Sequence, residues 1–393
     1  MSIEGELRIT LQCKEDHVSQ VEIKSTRPLQ LTRLFNGKTV DELLTMIPML
    51  YSVCGTAQSA AAVKACRLAS RLDISSKTAL LEQMLVNIEM AREHLWRILT
   101  DWSTSAGGRL DRDLASSLAS LINDSKMACF PEGDSFRMKP VMAFDSTGIE
   151  SIIRRITNIS SQSVFGLNAT VWYEIEDTQA LNHWLDITET DAAQLLRKMR
   201  DGSMARVGDG EALPLPEIDH YAMSQRLSQS DADAFIATPE WGGQVYETGP
   251  LTRQNSHPML QQLMQEYGNG VYTRMVARLL ELASLPGSLE RQLNALKAEY
   301  DISEQKHDAG ISQQGIGEVE AARGRLFHRV VVQDGVVSSY QILAPTEWNF
   351  HPLGVVARGL KRLSIERESV MKQQAELLIN AVDPCVGFSL EIG

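Results

Sequence analysis

Apolar and polar residues alternate over 6–12, with Leu7, Ile9 and Leu11 on one face, and again over 19–24. A polar break at Lys14–His17 separates the two runs, so the N-terminal segment, 3–24, reads as a β-hairpin. From Thr39 the period becomes helical. Pro48 is placed in the first turn of a helix running through Tyr51 to about Ser70. That helix carries Ala57, Ser59, Ala60, Ala61, Ala62 and Ala65, a face small enough for another backbone to approach closely. The next helix has the strongest pattern. Ser75 or Ser76 caps it, and Leu81, Met84, Leu85, Ile88, Ala91, Leu95, Ile98 and Trp102 keep the 3–4 spacing of one buried stripe.

Residues 103–147 are broken by Gly, Ser, Asp and Pro and predict one short helix between loops. Residues 148–235 predict a helix over Gly148–Ile159, a strand over Ala169–Glu176 and a helix over Asp191–Arg200, with a Gly/Pro-rich stretch at 202–218. Helical pattern returns over 252–300, interrupted at Gly268–Gly270 and Pro286–Gly287. Two strands, Leu326–Gln333 and Val336–Leu343, flank Asp334-Gly335, a two-residue loop typical of tight hairpins. A last helix, Ser369–Val382, stops at Asp383-Pro384-Cys385. The chain has no repeat, heptad array or low-complexity tract. The layout is α+β and predominantly helical, a single domain over 1–393 with no clean linker. Its parts are a helical core (39–102 and 252–300), a variable middle (103–235), peripheral hairpins (3–24 and 326–343) and a C-terminal part (353–393).

At 393 residues, 43% hydrophobic and 22% charged, the chain can bury a large core. A net charge of −12 without Lys/Arg clusters argues against a nucleic-acid or anionic-membrane surface. The N-terminus lacks a signal peptide's basic start and apolar run, and no stretch is long enough to span a membrane. Five cysteines, at 13, 54, 66, 129 and 385, are an odd number and too few for a disulfide framework, which points to the reducing cytoplasm. The default reading of any one of them is a small buried hydrophobe.

Two cysteines stand in distinctive surroundings: Tyr51-Ser52-Val53-Cys54-Gly55-Thr56-Ala57 and Asp383-Pro384-Cys385-Val386-Gly387-Phe388. Neither belongs to a CxxC pair, so an ordinary structural zinc site is not indicated. Together they resemble the two metal-binding motifs of nickel–iron hydrogenase large subunits, Arg-x-Cys-Gly-x-Cys and Asp-Pro-Cys-x-x-Cys. Cys54 and Cys385 match the first cysteine of each. Ala57 and Phe388 fall where the bridging cysteines belong, and Ser52 falls at the arginine. Three intervening segments resemble the same family in the same order: Tyr246–Arg253, Glu320–His328 and Ala344–Asn349, with Ala322 replacing a proline. The matches span Arg27 to Phe388.

The resemblance implies the large-subunit fold, with Arg323 and Thr346 donating hydrogen bonds to the cyanide ligands of an iron atom. It also implies that hydrogen cleavage is lost. The bridging thiolates are absent, and the family's proton-accepting glutamate falls at Thr32, which does not titrate near neutral pH. Glu391 stands at the place of the family's last metal-proximal histidine. The chain ends two residues later, with no extension for a maturation endopeptidase. Cys-Gly-x-Ala-Gln (54–58) and Asp-Pro-Cys-Val-Gly-Phe (383–388) resemble the hydrogenase expression/formation proteins of the HupK/HoxV type.

The function so implied is a non-enzymatic maturation factor: a scaffold that carries iron as Fe(CN)2CO, transiently and without nickel, held by Cys54 and Cys385. Its partners would be cytoplasmic maturation chaperones and the hydrogenase large subunit, with no nucleic acid and no membrane. The alternatives are a metal-free large-subunit mimic that binds the chaperones, a structural subunit of a redox complex, and an enzyme of unknown chemistry. No nucleophile–base pair or phosphate loop supports the last. The blander expectations are that Arg323 binds a carboxylate such as Glu320, that His328 faces a hairpin neighbour or polar pocket, that Glu247 and Arg253 hold a turn, and that Cys13, Cys66 and Cys129 are structural.

Overall fold

The computed structural model describes residues 5–51, 53–109, 111–202, 204–298, 313–365 and 367–393. Expectations for residues 3–4, Ser52 and 299–300 lie outside them. Strands β1 (Glu6–Lys14) and β2 (His17–Ser25) form the N-terminal hairpin. Helices α1 (Val40–Leu50), α2 (Gly55–Ala69), α3 (Ser76–Arg97) and α4 (Val271–Lys297) build the core. Strands β3 (Gln314–Ala321), β4 (Gly324–Gln333) and β5 (Val336–Leu343) form one antiparallel sheet. Helix α5 (Glu368–Val382) leads into the terminal strand β6 (Gly387–Ile392).

The N-terminal hairpin is part of a three-stranded sheet, ordered β2–β1–β6. β6 runs parallel to β1 and sets Phe388, Leu390 and Ile392 against Leu7, Ile9 and Leu11. The chain's two ends therefore meet, and the segment after Cys385 is tied down.

Thr39 and Glu42 form a reciprocal capping box that starts α1 as a helix of its own. Pro48 lies in the last turn of α1, and Cys54 is the N-cap of α2, which corrects the single helix expected from Pro48 onward. The small face of α2 meets β3. A Cβ on Gly315 would lie 2.0 Å from the Ala65 carbonyl oxygen, and one on Gly317 2.1 Å from that of Ala61. Helix and strand touch backbone to backbone because both lack side-chain bulk there.

Ser75 caps α3 by accepting from the Thr78 amide, and the predicted stripe from Leu81 to Leu95 is buried. α3 packs on α4 and on a helix at Arg112–Cys129, full-length where a short one was expected. Ala169–Tyr173 is a helical turn rather than a strand. Asn168 accepts from the Thr170 and Val171 amides, and Trp172 is buried against Phe165 and Trp184. Helices at Thr178–Ile187 and His220–Leu227 add to the middle region. The break expected at Gly268 is present, with φ +64, but α4 runs unbroken through Pro286. Burial on most sides compensates the one backbone bond that proline removes. Asp334 and Gly335, both with positive φ, close the β4–β5 turn as predicted. No described helix is long and apolar enough to cross a membrane.

Candidate functional site

Helix α5 ends at Asp383, whose left-handed conformation (φ +68) turns Pro384 and Cys385 inward before β6 departs. The Cys385 Sγ accepts from Arg27 Nη2 at 3.0 Å and lies 3.0 Å from the Thr346 hydroxyl. Arg27 is held in turn by Glu347 at 2.8 Å, so two adjacent residues serve one sulfur, Thr346 directly and Glu347 through the arginine.

Asp383 lies among three guanidinium groups, those of Arg97, Arg278 and Arg323. Burial alone would raise its pKa, but these cations outweigh burial and hold the carboxyl well below the usual carboxylate range. Arg323 also donates from Nη1 to Glu93 at 2.9 Å. Arg323 thus binds carboxylates, as expected, though the one foreseen, Glu320, pairs instead with Arg253 and Arg325. The Arg323 Nε is 3.3 Å from Asp383 Oδ1, an ion-pair distance, yet its N–H makes no hydrogen bond.

The segments singled out in the sequence converge behind Arg323. The Thr248 amide donates to Asn349 Oδ1 (2.8 Å), and Asn349 Nδ2 donates to the Arg323 carbonyl (3.2 Å). The Arg325 amide donates to the Thr248 hydroxyl (3.0 Å), and Arg253 donates to the Ala322 carbonyl (3.2 Å). Glu247 pairs with Arg274, and Arg253 with Glu281. Burial pushes Glu281 upward, but Arg253 and His94 overcome it and hold the carboxyl at about 2.

Cys54, at the start of α2, accepts from Gln58 Nε2 at 3.7 Å. Burial pushes its thiol far above the ordinary range. The Cys385 and Glu89 charges act in the same direction, and Arg323 opposes them. Glu89 reaches over from α3 to accept the Thr56 and Ala57 amides at 2.7 and 2.9 Å, capping α2 from outside. Burial raises this carboxyl to about 7, Glu93 adds to the rise, and the amides oppose it. Arg323, Cys385, Val53, Trp96 and Phe388 line an open cleft of about 510 Å³.

Ala57, where a bridging cysteine was sought, is fully buried, and Phe388 is half-buried at the cleft. Thr32 bonds to the Leu29 carbonyl and lines a separate small cavity with Arg27 and Tyr51. Glu391 is exposed on β6. His328 is bonded between Tyr340 and Gln58. Burial raises the Cys66 and Cys129 thiols to about 12, while Cys13 is half-buried on β1. Sequence reasoning missed Arg27, Glu89, Glu93 and Arg97. One usable signal was present: Glu82, Glu89 and Glu93 recur seven and four residues apart along the buried stripe of α3.

The nickel-dependent hydrogenase family matches residues 117–387, and the chain belongs to it. It is similar to the hydrogenase expression/formation protein HupV of Azotobacter chroococcum mcd 1, 25% identical over 99% of this chain and 98% of that protein. The corresponding HoxV protein of Cupriavidus necator is 27% identical over 94% of this chain and 92% of its own length. The Ni-Fe-Se hydrogenase from D. vulgaris Hildenborough shares the fold with a TM-score of 0.63 at 17% identity, covering 95% of this chain and 94% of the other.

Proposed function

We propose that this protein is a hydrogenase maturation factor that carries Fe(CN)2CO as cargo, held by Cys54 and Cys385, and does not itself cleave hydrogen. The names of its full-length relatives support the maturation role. The observation that carries the cargo reading is the buried Arg323 guanidinium lining the cleft beside Cys385, whose Nε–H, 3.3 Å from Asp383 Oδ1, makes no hydrogen bond. A metal-bound cyanide nitrogen is the acceptor such a donor lacks. The donor set fits this cargo. Cys54 and Cys385 offer two soft thiolates, and the iron brings its own three strong-field ligands. Ala57 and Phe388 in place of bridging thiolates remove the means to trap nickel.

The cargo is exchanged in the cytoplasm with maturation chaperones and the hydrogenase large subunit. The test is anaerobic purification from cells expressing the maturation machinery, followed by iron analysis and infrared spectroscopy. Cyanide and carbonyl bands lost in both Cys54→Ala and Cys385→Ala are expected. Metal-free, band-free protein that still binds the chaperones would replace this reading with the metal-independent mimic.

A further inference from the structure

Gln58, His328 and Tyr340 form a hydrogen-bonded line that ends on Cys54. Gln58 Nε2 lies 3.7 Å from the Cys54 Sγ, Gln58 Oε1 lies 2.7 Å from His328 Nε2, and His328 Nδ1 lies 2.6 Å from the Tyr340 hydroxyl. His328 is 0%, Gln58 2% and Tyr340 3% exposed, so water has no access to the inner links. The three residues come from distant elements: Gln58 from the first turn of α2, His328 from β4 and Tyr340 from β5.

A neutral imidazole has one donor and one acceptor nitrogen, so only two arrangements satisfy this line. In the first, Tyr340 donates to Nδ1, Nε2–H donates to the Gln58 carbonyl, and the amide N–H faces the sulfur. In the second, Nδ1–H donates to Tyr340, Nε2 accepts from a flipped amide, and the amide oxygen faces the sulfur. A metal-bound thiolate has no proton to give, so an oxygen facing it would be repelled and unpaired.

Resting on the reading of Cys54 as a ligand for iron, we infer that His328 is a positioning residue. Its Nε2–H tautomer, set by the Tyr340 hydroxyl, aims the Gln58 amide N–H at the Cys54 sulfur and so tunes that sulfur's bond to the cargo. Burial, which brings the His328 pKa down to about 3, keeps the ring neutral and the direction of the line single. Outer partners of metal ligands act in this way, fixing a ligand's orientation and its electron donation.

Two measurements test the inference. Nitrogen-15 NMR of histidine-labelled, iron-loaded wild-type protein, with the His328 signal assigned by its loss in His328→Gln, is expected to show the Nε2–H tautomer. The Nδ1–H tautomer in loaded protein would overturn the inference, because a metal-bound thiolate cannot donate to a flipped amide oxygen.

In iron-loaded protein, Gln58→Leu removes the N–H···S bond, and His328→Phe frees the Gln58 amide from the partner that aims it. The sulfur then donates more charge, and the carbonyl stretch is expected to move to lower wavenumber, with iron affinity down about tenfold. His328→Gln, which keeps an N–H for the Gln58 carbonyl, is expected to restore the wild-type frequency. An unshifted band in loaded Gln58→Leu would overturn the inference. Absence of bands in wild type would instead sink the cargo reading, and the inference with it, whereas bands with the Nδ1–H tautomer would sink the inference alone.

Discussion

Of the carboxyl groups buried beside the candidate site, Asp383 and Glu89 have surroundings that differ in kind. Asp383 is surrounded by the guanidinium groups of Arg97, Arg278 and Arg323 and stays ionised. Among the described residues Glu89 has no cation in hydrogen-bond contact. Its partners are the Thr56 and Ala57 amides at the start of α2, and burial lifts it to about 7. The first arrangement fixes the turn that delivers Cys385. The second leaves the turn that delivers Cys54 resting on a group whose charge changes near neutral pH. One thiol is held by a cluster of opposite charges, the other by hydrogen bonds that change with protonation.

The sharpest way to break this contrast is Asp383→Asn, which keeps shape but leaves two buried cations, Arg278 and Arg323, and the half-buried Arg97 without their shared anion. Truncating one member of a buried charge cluster costs about 3–5 kcal/mol, so denaturant unfolding should show a loss of that size. A loss near zero would mean that Glu93 and the Ala381 carbonyl suffice for the arginines, and the clamp would not exist.

Glu89→Gln probes the other side through pH. The folded-state pKa of about 7 exceeds the ordinary 4.5, so the folded protein holds a proton that the unfolded chain releases between those values. Wild-type stability from this group is therefore greatest below pH 4.5, falls as pH rises toward 7 and is level above it. The drop is on the order of 3 kcal/mol. His328, lowered to about 3 by burial, contributes the opposite slope over a window that overlaps, so the readout is wild type minus variant at pH 5 and pH 8. A constant difference would show that Glu89 is ionised throughout.

How far each half of the site was legible in the sequence follows from the range of the interactions. The Asp-Pro-Cys turn, the Asp334-Gly335 hairpin and the stripe of α3 are local patterns, and local chemistry explains them. The segments around Thr248, Arg323 and Asn349 were recognisable as motifs, but their mutual hydrogen bonds were not, since each joins residues far apart in the chain. Arg27 carries no local signal for its bond to Cys385, 358 positions away. β6 is six residues long and gains its identity from β1 at the other end of the chain. Pro286 and Ala169–Tyr173 misled for the opposite reason: local propensity pointed one way and burial decided the other.

The packing under Cys54 provides a smaller test. Gly317→Ala would set a Cβ 2.1 Å from the Ala61 carbonyl, against helix backbone that cannot yield as a side chain does. Overpacking of this kind costs about 1–3 kcal/mol in thermal or chemical unfolding. If the α2 end of the site is the more adjustable one, the same substitution should also alter the reactivity of Cys54 toward a thiol reagent while leaving Cys385 unchanged. Equal changes at both thiols would erase the distinction between the two ends.

The smallest expected effect is that of Thr346→Val. The substitution removes the hydroxyl 3.0 Å from the Cys385 Sγ and keeps the β-branched shape. The hydroxyl also accepts the Cys385 amide at 3.5 Å, while Arg27 still donates to the sulfur, so unfolding should shift by about 1–2 kcal/mol. The informative readout is therefore iron retention. If Cys385 is held by the fold and Thr346 serves the cargo, the variant should lose no more stability than that yet release iron faster on dilution. Stability falling further, together with iron retention, would assign Thr346 to the fixed half of the site instead, as one more tie on the Cys385 turn.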